Sequence, residues 1–285
     1  MQGTGEASAL ANNKEQTVGT SVAQSSSRTR IVSIALNTFR EAVRDRVLYN
    51  LVLFVLLLIG GAIFLGELSG GQEKKIITDL GLSAMLIFGV FIGIFVGVSL
   101  VYKEIERRTV YALFAKPVGR AEFLIGKYLG LCLTLLLNTI IMGAGVSLAL
   151  IYVSRGWDPL ALQIWPAILL IYVELMIVTA IALVFSSFSS PALSALLTFF
   201  IFIAGHFSSD LKTLAAFSRT ASVRWLFTAL YYALPNLANY SFITQAAHGR
   251  VPGFQQTLIV VLYGCVYISL LLAIAAMIFA RRNFK

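Results

Sequence analysis

Long apolar blocks alternate with short polar segments along this chain from about residue 47 to residue 280. Each block is long enough to cross a bilayer as a helix, which takes about 20 residues. A helix also satisfies its own backbone hydrogen bonds in lipid. The pattern therefore predicts an all-α, polytopic integral membrane protein with six transmembrane helices. The predicted spans are roughly 47–65, 80–102, 128–153, 164–185, 191–207 and 258–280.

The sequence before the first span divides into two parts. Residues 1–29 are rich in Ser, Thr, Gly, Asn and Gln and hold too few apolar side chains to bury a core. We therefore expect a disordered tail at 1–29 and one membrane domain at 30–285. Residues 30–46 place apolar side chains at steps of three and four, as an amphipathic helix does. Such a basic helix is expected to lie in the cytoplasmic interface; the alternative is a soluble extension of the first span. The predicted apolar face comprises Val32, Ala35, Leu36, Phe39, Ala42, Val43 and Val47.

Composition and charge fix the predicted orientation. Hydrophobic residues make up 58% of the 285 positions and charged residues 12%, about half the charged fraction of an average soluble domain. With the N-terminus inside, 15 of the 22 Lys and Arg residues fall in inner segments, as the positive-inside rule requires. We therefore expect both termini in the cytoplasm and the protein in the plasma membrane, with the lipid bilayer and not nucleic acid as its surroundings.

The two cysteines, Cys132 and Cys265, lie inside apolar blocks and indicate neither a disulfide nor a metal site.

The pattern at 208–257 is less regular than that of the spans. It contains an apolar stretch at 225–234 that ends at Pro235 and Asn236. About ten residues are too few to cross a bilayer and suit a re-entrant or interfacial helix. An alternative joins this stretch to Phe242 as a seventh span. That would move the basic C-terminal residues outside, against the charge rule, so we expect an extracytoplasmic helical hairpin before the last span.

The segment between spans two and three, residues 103–127, concentrates charge at the membrane surface. Residues 109–115 can form a short helix with an apolar side, which ends before a proline. An apolar ridge flanked by charges suits docking to a soluble partner; the alternative is an amphipathic helix on lipid headgroups. The candidate docking residues are Glu104, Glu106, Arg107, Arg108, Thr109, Leu113, Lys116, Pro117 and Arg120.

This segment resembles the stretch after the second span in type-two ABC exporter permeases. The amphipathic helix before span one, the six spans and the hairpin before the last span also agree with that family. A narrower resemblance, carried by residues 205–212, 231–237 and 281–285, is to the branch named for multi-copper enzyme maturation. The residues that carry the main resemblance are Glu104, Glu106, Thr109, Pro117, Arg120, Phe123, Gly126 and Lys127.

The resemblance implies a transport subunit that is not itself an enzyme. In that family the segment after span two is a cytosolic coupling helix that meets the ATPase, so the nine docking residues are implied to couple ATPase to permease. Two ATPase copies and a second permease copy, identical or a close paralogue, are implied as partners. The sequence has no G-x-x-x-x-G-K-S/T phosphate loop. ATP and Mg²⁺ are therefore expected on the ATPase, no cofactor is expected in this chain, and no catalytic motif is found in it.

Three polar residues in or beside the predicted spans are candidates for function. Glu174 lies mid-span, where an ionisable side chain is costly in lipid and often functional; the alternative is a protonated or hydrogen-bonded residue that packs against another helix. For Asn138 we expect an interhelical hydrogen bond. His206 lies at the end of span five, and the chain has only one other histidine, His248. Since a copper or zinc site needs several His, Cys or Met ligands, we expect a structural role for His206.

Two other classes of function fit the same pattern. The chain could be a non-transporting membrane scaffold or assembly factor whose docking segment anchors a soluble protein. It could also be an ion-driven carrier or channel, which would act in liposomes without a partner. The spans consist mainly of Leu, Ile, Val, Ala and Phe, which does not identify a substrate.

Overall fold

The computed structural model describes residues 27–43, 53–54, 57, 60–61, 72–106, 120–218, 220–250 and 252–281. All regular secondary structure in these ranges is helical, which confirms the predicted all-α class. The helices are α1 (Ser27–Ala42), α2 (Glu73–Glu106), α3 (Arg120–Val153), α4 (Leu160–Gln163), α5 (Trp165–Ser186), α6 (Pro191–His206), α7 (Ser208–Phe217), α8 (Ala221–Ala233), α9 (Ile243–Ala247) and α10 (Phe254–Arg281), with a 3-10 turn at Leu237–Tyr240.

Within the described residues, four helical stretches are long and apolar enough to cross a membrane. They are Glu73–Ser99, Ala121–Val153, Leu160–Ser186 and Phe254–Ile278, and they correspond to predicted spans two, three, four and six. Helix α6 makes a fifth candidate only together with Asp210–Phe217 of α7, and the two axes differ by 65°. The first predicted span, 47–65, lies mostly outside the described residues, so the count of six stays a prediction.

Helix α5 lies at the centre of the bundle and packs closely against α2. Three glycines one turn apart along α2 remove the side chains that would hold the two helices apart. A Cβ atom at Gly93 would lie 2.9 Å from Thr179 Oγ1 of α5, which is too close for a real side chain. The glycines are Gly89, Gly93 and Gly97, and the residues of α5 beside them are Leu175, Thr179 and Ala182.

Helix α3 packs antiparallel to α5, and two tyrosine hydroxyls fix its register. Tyr128 of α3 donates to the carbonyl oxygen of Met176 at 3.1 Å. Tyr172 of α5 donates to the carbonyl oxygen of Cys132 at 3.2 Å. Each tyrosine therefore places a polar group against the backbone of the other helix, where it needs a partner because water is absent.

The turn between α3 and α4 is tied to the start of α2. Lys74 Nζ lies 2.7 Å from Asp158 Oδ2, and the side chain of Ser154 donates to the same oxygen at 2.8 Å. The backbone N–H of Leu160 donates to Asp158 Oδ1 at 2.9 Å, as at a helix N-terminus. The hydrogen bond from Lys74, followed by those from Leu160 and Ser154, lowers the pKa of Asp158 from 3.8 to about 2.

Beyond α6 the chain forms a peripheral pair of helices and then a buried turn. Helices α7 and α8 pack mainly against each other. Residues 235–247, here called the buried turn, then pass between the ends of the long helices, where Leu237 and Tyr240 are fully buried. Helix α10 packs against α5 and leaves most of its surface uncovered, with only 22% of its apolar window buried.

Candidate functional site

The predicted docking segment begins at the end of α2 in the chain and runs into the start of α3. Helix α2 continues past the apolar stretch that ends at Ser99 and includes the backbone of Glu104 and Glu106. Helix α3 begins at Arg120. The other predicted docking residues, Arg107, Arg108, Thr109, Leu113, Lys116 and Pro117, lie outside the described residues.

Helix α1 packs on the first turns of α3, directly after the docking segment. A Cβ atom at Gly126 would lie 2.8 Å from Ile34 Cβ, and one at Gly130 would lie 2.5 Å from the carbonyl oxygen of Ala35. Only glycine leaves room for the two backbones to approach this closely. This close approach makes α1 and the start of α3 one packed unit.

Two ion pairs cross the same interface at its ends. Arg30 Nε lies 3.7 Å from Glu122 Oε2, and Lys127 Nζ lies 3.9 Å from Glu41 Oε2. Lys127 is only 3% exposed, and its ammonium group also lies 5.7 Å from the ring centroid of Phe123. A nearly buried lysine needs such partners, because an isolated buried charge is costly.

The packed face of α1 differs from the predicted apolar face. Of the residues on the predicted face, Ala35 and Ala42 are buried, whereas Val32 is 55% exposed and Leu36 is 44% exposed. The buried side includes Thr38 instead. The physical reason is that close approach of α1 to the α3 glycines favours small side chains at the contact. The prediction followed the large apolar side chains of α1 and so did not identify this contact.

Glu174 is fully buried in α5 and faces the last residue of α6. Its Oε1 atom lies 3.4 Å from Nε2 of His206, whose other ring nitrogen, Nδ1, lies 3.2 Å from the carbonyl oxygen of Phe202. Since a carbonyl only accepts, Nδ1 carries a hydrogen, and Nε2 faces the carboxyl group. With Glu174 ionised and only Nδ1 of His206 protonated, the pair carries one negative charge. One further proton, on the carboxylate or on Nε2, makes the pair neutral. Within the described part of the chain, neither Glu174 oxygen has a hydrogen-bond partner.

This contact changes the interpretation of His206. The sequence places it at the end of a span, beside polar residues. In the structure it ends α6 at the level of Glu174, which is the tenth residue of the 22-residue α5. Helix α6 thus reaches only the middle of α5 before the chain bends. Groups of three or more His, Cys, Asp or Glu side chains that could hold a metal ion are absent from the described ranges.

Asn138 lies on α3, a different helix from Glu174. Its side chain is 2% exposed, and neither its amide oxygen nor its amide nitrogen has a hydrogen-bond partner among the described residues. The two Glu174 oxygens likewise lack a hydrogen-bond partner there. The two polar candidates are therefore not hydrogen-bonded to each other in the structure.

The buried turn closes the space between α5, α6 and α10 near Glu174. The hydroxyl of Tyr240 donates to the carbonyl oxygen of Val260 at 3.0 Å, and a Cβ atom at Gly264 would lie 2.7 Å from that hydroxyl. Leu237 packs on Gly205 at the end of α6. Sequence reasoning missed this element, although Pro235 followed by apolar residues at three-residue steps (Leu237, Tyr240, Ile243) was an available signal.

These features define a multi-pass membrane protein with long apolar helices, in which a buried glutamate on one helix contacts a partly buried histidine on another. The model of the ABC-2 family of transporter proteins matches residues 32–284. The chain belongs to this family, and it is accordingly a membrane permease component of an ABC transporter. Membership implies association with an ABC ATPase partner. The comparison with curated proteins returned no match.

Proposed function

We propose that this chain is the transmembrane subunit of an ATP-driven exporter whose ATPase is a separate polypeptide. The observation that carries the proposal is the junction of two long helices within a chain of the ABC-2 family. Helix α2 extends beyond its apolar stretch to Glu106, and α3 starts again at Arg120. Residues 107–119 are thus bounded on both sides by helices that are long enough to cross the membrane. A displacement of this segment acts directly on two spans.

The packing of α1 supports the same function. Because α1 is tied to α3 at Gly126 and Gly130 and by the Glu41–Lys127 ion pair, a displacement of α3 moves α1 with it. In the proposed cycle, ATP binding closes the ATPase pair, and the coupling helix at 109–115 transmits that motion to α2 and α3. Such a switch requires contacts at the coupling helix that depend on the nucleotide state.

The proposed assembly contains two permease copies, identical or closely related, and two ATPase copies. Each permease has six spans, with the first at 47–65, both termini in the cytoplasm and the helical pair α7–α8 on the outer side of the plasma membrane. Helix α1 is the elbow helix in the cytoplasmic interface, where the exposed Val32 and Leu36 side chains contact lipid. Within the family we place the chain nearest the branch named for multi-copper enzyme maturation, without assigning it a metal.

The test is charge reversal at the end of α2. In the double variant Glu104→Lys with Glu106→Lys, we expect the permease to lose co-purification with its ATPase and to lose transport-coupled ATP hydrolysis. The matched control is Glu73→Lys, at the opposite end of the same helix, which keeps the fold and the partner binding. Normal assembly and normal ATP turnover in the double variant would contradict the proposed coupling site.

A second measurement separates the exporter from its alternatives. The purified chain alone, reconstituted in liposomes, is expected to show no transport until the ATPase and ATP are added. Ion-driven flux from the chain alone would favour a carrier. Stable binding of an ATPase without any transport or stimulated hydrolysis across a panel of lipid-like and amphipathic substrates would favour a scaffold.

A further inference from the structure

The pair of helices α7 and α8, here called the hairpin, carries a cavity that the coupling role does not use. The cavity has a volume of about 370 Å³ and opens to the surface. Lys212 and Arg224 stand at its edge, one from each helix, and Tyr231 and Tyr232 line it beside them. The Lys212 ammonium group lies 5.7 Å from the ring centroid of Tyr231. The two helices therefore bring two cations and two aromatic rings to one recess.

No acidic side chain lines this recess among the residues that the structure describes. Between residues 208 and 257 the sequence contains four Lys or Arg residues and a single acid, Asp210. Arg224 donates to the carbonyl oxygen of Ser218 at 3.2 Å. In the described part of the chain, its guanidinium group has no carboxylate partner. The recess thus offers donors and charge to an anion.

The walls and the surroundings of the recess are apolar. Ala215 and Ala216 form part of its wall. Large aromatic side chains at and beside the recess are exposed: Phe217 is 81% exposed, Trp225 is 73% exposed and the lining residue Tyr232 is 79% exposed. Exposed aromatic side chains of this kind are typical of the interface between lipid headgroups and hydrocarbon. A ligand with one anionic group and one apolar part matches both the cations and the walls.

We propose that the hairpin binds the phosphate group of an anionic amphiphile between Lys212 and Arg224, with Tyr231 and Tyr232 beside its apolar part. Arginine and lysine together are the usual protein ligands of phosphate. The phosphate can belong to a phospholipid headgroup or to a soluble phosphate compound, and the test separates the two. The proposed phosphate site lies on α7 and α8 and not at the ATPase-coupling segment. A negative result for phosphate binding and a negative result for ATPase coupling are therefore independent.

The test uses the full chain in lipid nanodiscs with Trp225 as the only tryptophan, after Trp157→Phe and Trp165→Phe. Fluorescence quenching is measured with brominated phosphatidylglycerol and with brominated phosphatidylcholine at equal mole fractions. We expect a clear preference for phosphatidylglycerol. The preference should fall about tenfold in Lys212→Gln with Arg224→Gln, since two cations near the surface are removed. The control variant, Lys75→Gln with Arg250→Gln, removes the same charge from the same predicted side and should keep the preference.

A second arm adds glycerol 3-phosphate to nanodiscs of phosphatidylcholine at constant ionic strength. The site would be assigned to a soluble phosphate compound if Trp225 fluorescence changes saturably with glycerol 3-phosphate when Lys212 and Arg224 are present and not in the Lys212→Gln with Arg224→Gln variant. Equal quenching by the two brominated lipids together with no response to glycerol 3-phosphate would overturn the proposal. An equal loss of the phosphatidylglycerol preference in the double variant and in the control variant would also overturn the proposal. It would show that the preference comes from the overall surface charge and not from this recess.

Discussion

The contacts of α5 differ between α2 and α6. Towards α2 the contact is a row of three glycines, and glycines also join α1 to α3. Towards α6 the contact is polar, between Glu174 and His206. On the same side, α10 meets α5 at a single glycine, Gly264 against Val173, and Tyr240 of the buried turn donates to the Val260 carbonyl of α10. We call the first group (α1, α2, α3 and α5) the glycine-packed half and the second (α6, α10 and the buried turn) the polar-linked half.

The difference teaches where this fold can change shape. Helices that touch through glycine fit in one arrangement, because any shift drives backbone atoms and side chains into each other. Contacts through side chains can be exchanged by rotation about χ angles, at a modest cost. The glycine-packed half is therefore suited to move as a unit, whereas α6, which meets α5 through the Glu174 and His206 side chains, has more freedom to shift against it.

The largest effect is expected from Gly130→Ala in the glycine-packed half. The new methyl group would lie 2.5 Å from the Ala35 carbonyl oxygen and 2.6 Å from Thr38 Cβ, so α1 must move away from α3. Overpacking of this kind costs about 1–3 kcal/mol. The free energy of unfolding in mixed micelles measures the loss. Gly145→Ala on the same helix is the control, because its nearest neighbour, Phe54, would be 3.9 Å away; equal effects of the two substitutions would argue against the glycine contact.

The next effect concerns the polar pair of the other half. A double-mutant cycle with Glu174→Gln and His206→Gln should give a coupling energy of about 1–2 kcal/mol, since Glu174 is fully buried and contacts His206. Unfolding free energies of the wild type, both single variants and the double variant provide it. The same cycle with His248→Gln in place of His206→Gln should be additive, because the described contact of His248 is with Thr244. Additivity in both cycles would mean that Glu174 and His206 do not interact.

Tyr240→Phe is expected to have a smaller effect on the same half. It removes the hydrogen bond to the Val260 carbonyl at 3.0 Å and leaves the ring in place. A net loss of about 0.5–1.5 kcal/mol is typical of one buried hydrogen bond. Thermal unfolding of the purified protein should detect it, whereas Tyr232→Phe, at a side chain that is 79% exposed, should change nothing. A larger loss for Tyr232→Phe would show that the buried turn is not the tighter contact.

The smallest effect is expected at the surface, where Asp158 joins the turn after α3 to Lys74. The folded state lowers the pKa of this carboxyl from 3.8 to about 2, so the charged form stabilises the fold. The stabilisation that the charged Asp158 carboxyl gives to the fold is complete above about pH 3.8. This stabilisation is lost as the pH falls through about 2. Asp158→Asn should therefore destabilise the protein at pH 7 by no more than about 1 kcal/mol. The difference from wild type, followed by thermal unfolding, should shrink below pH 3.8; a difference independent of pH would contradict the assignment.

The long helices could be predicted from the sequence because each carries its own signal. Apolar runs at 80–102 and 128–153 are long enough to cross a bilayer whatever they pack against, and both lie within helices of the structure. The packing could not be predicted in the same way. Gly89, Gly93 and Gly97 form a visible repeat in the sequence, but only the fold shows that Thr179 of α5 faces it.

The polar candidates show the same limit. Glu174 stands out in the sequence because a lone acid in an apolar block is unusual. Its partner His206 is 32 residues away, at the end of a different helix, and nothing local to either residue indicates the contact. The buried turn was missed for a related reason. The apolar steps at Leu237, Tyr240 and Ile243 cover too few residues to predict burial, which depends on the neighbouring helices.

With the one further proton described above, the Glu174–His206 pair is neutral, and this state has a consequence in a membrane that carries a voltage. A single elementary charge that crosses the whole membrane field exchanges about 2.3 kcal/mol with it for each 100 mV. A carboxyl and an imidazole that share one proton carry no net charge, whichever of them holds it. Rearrangement of α6 against α5 with this pair intact therefore transfers no net charge through the field. The membrane voltage then neither drives nor opposes that movement.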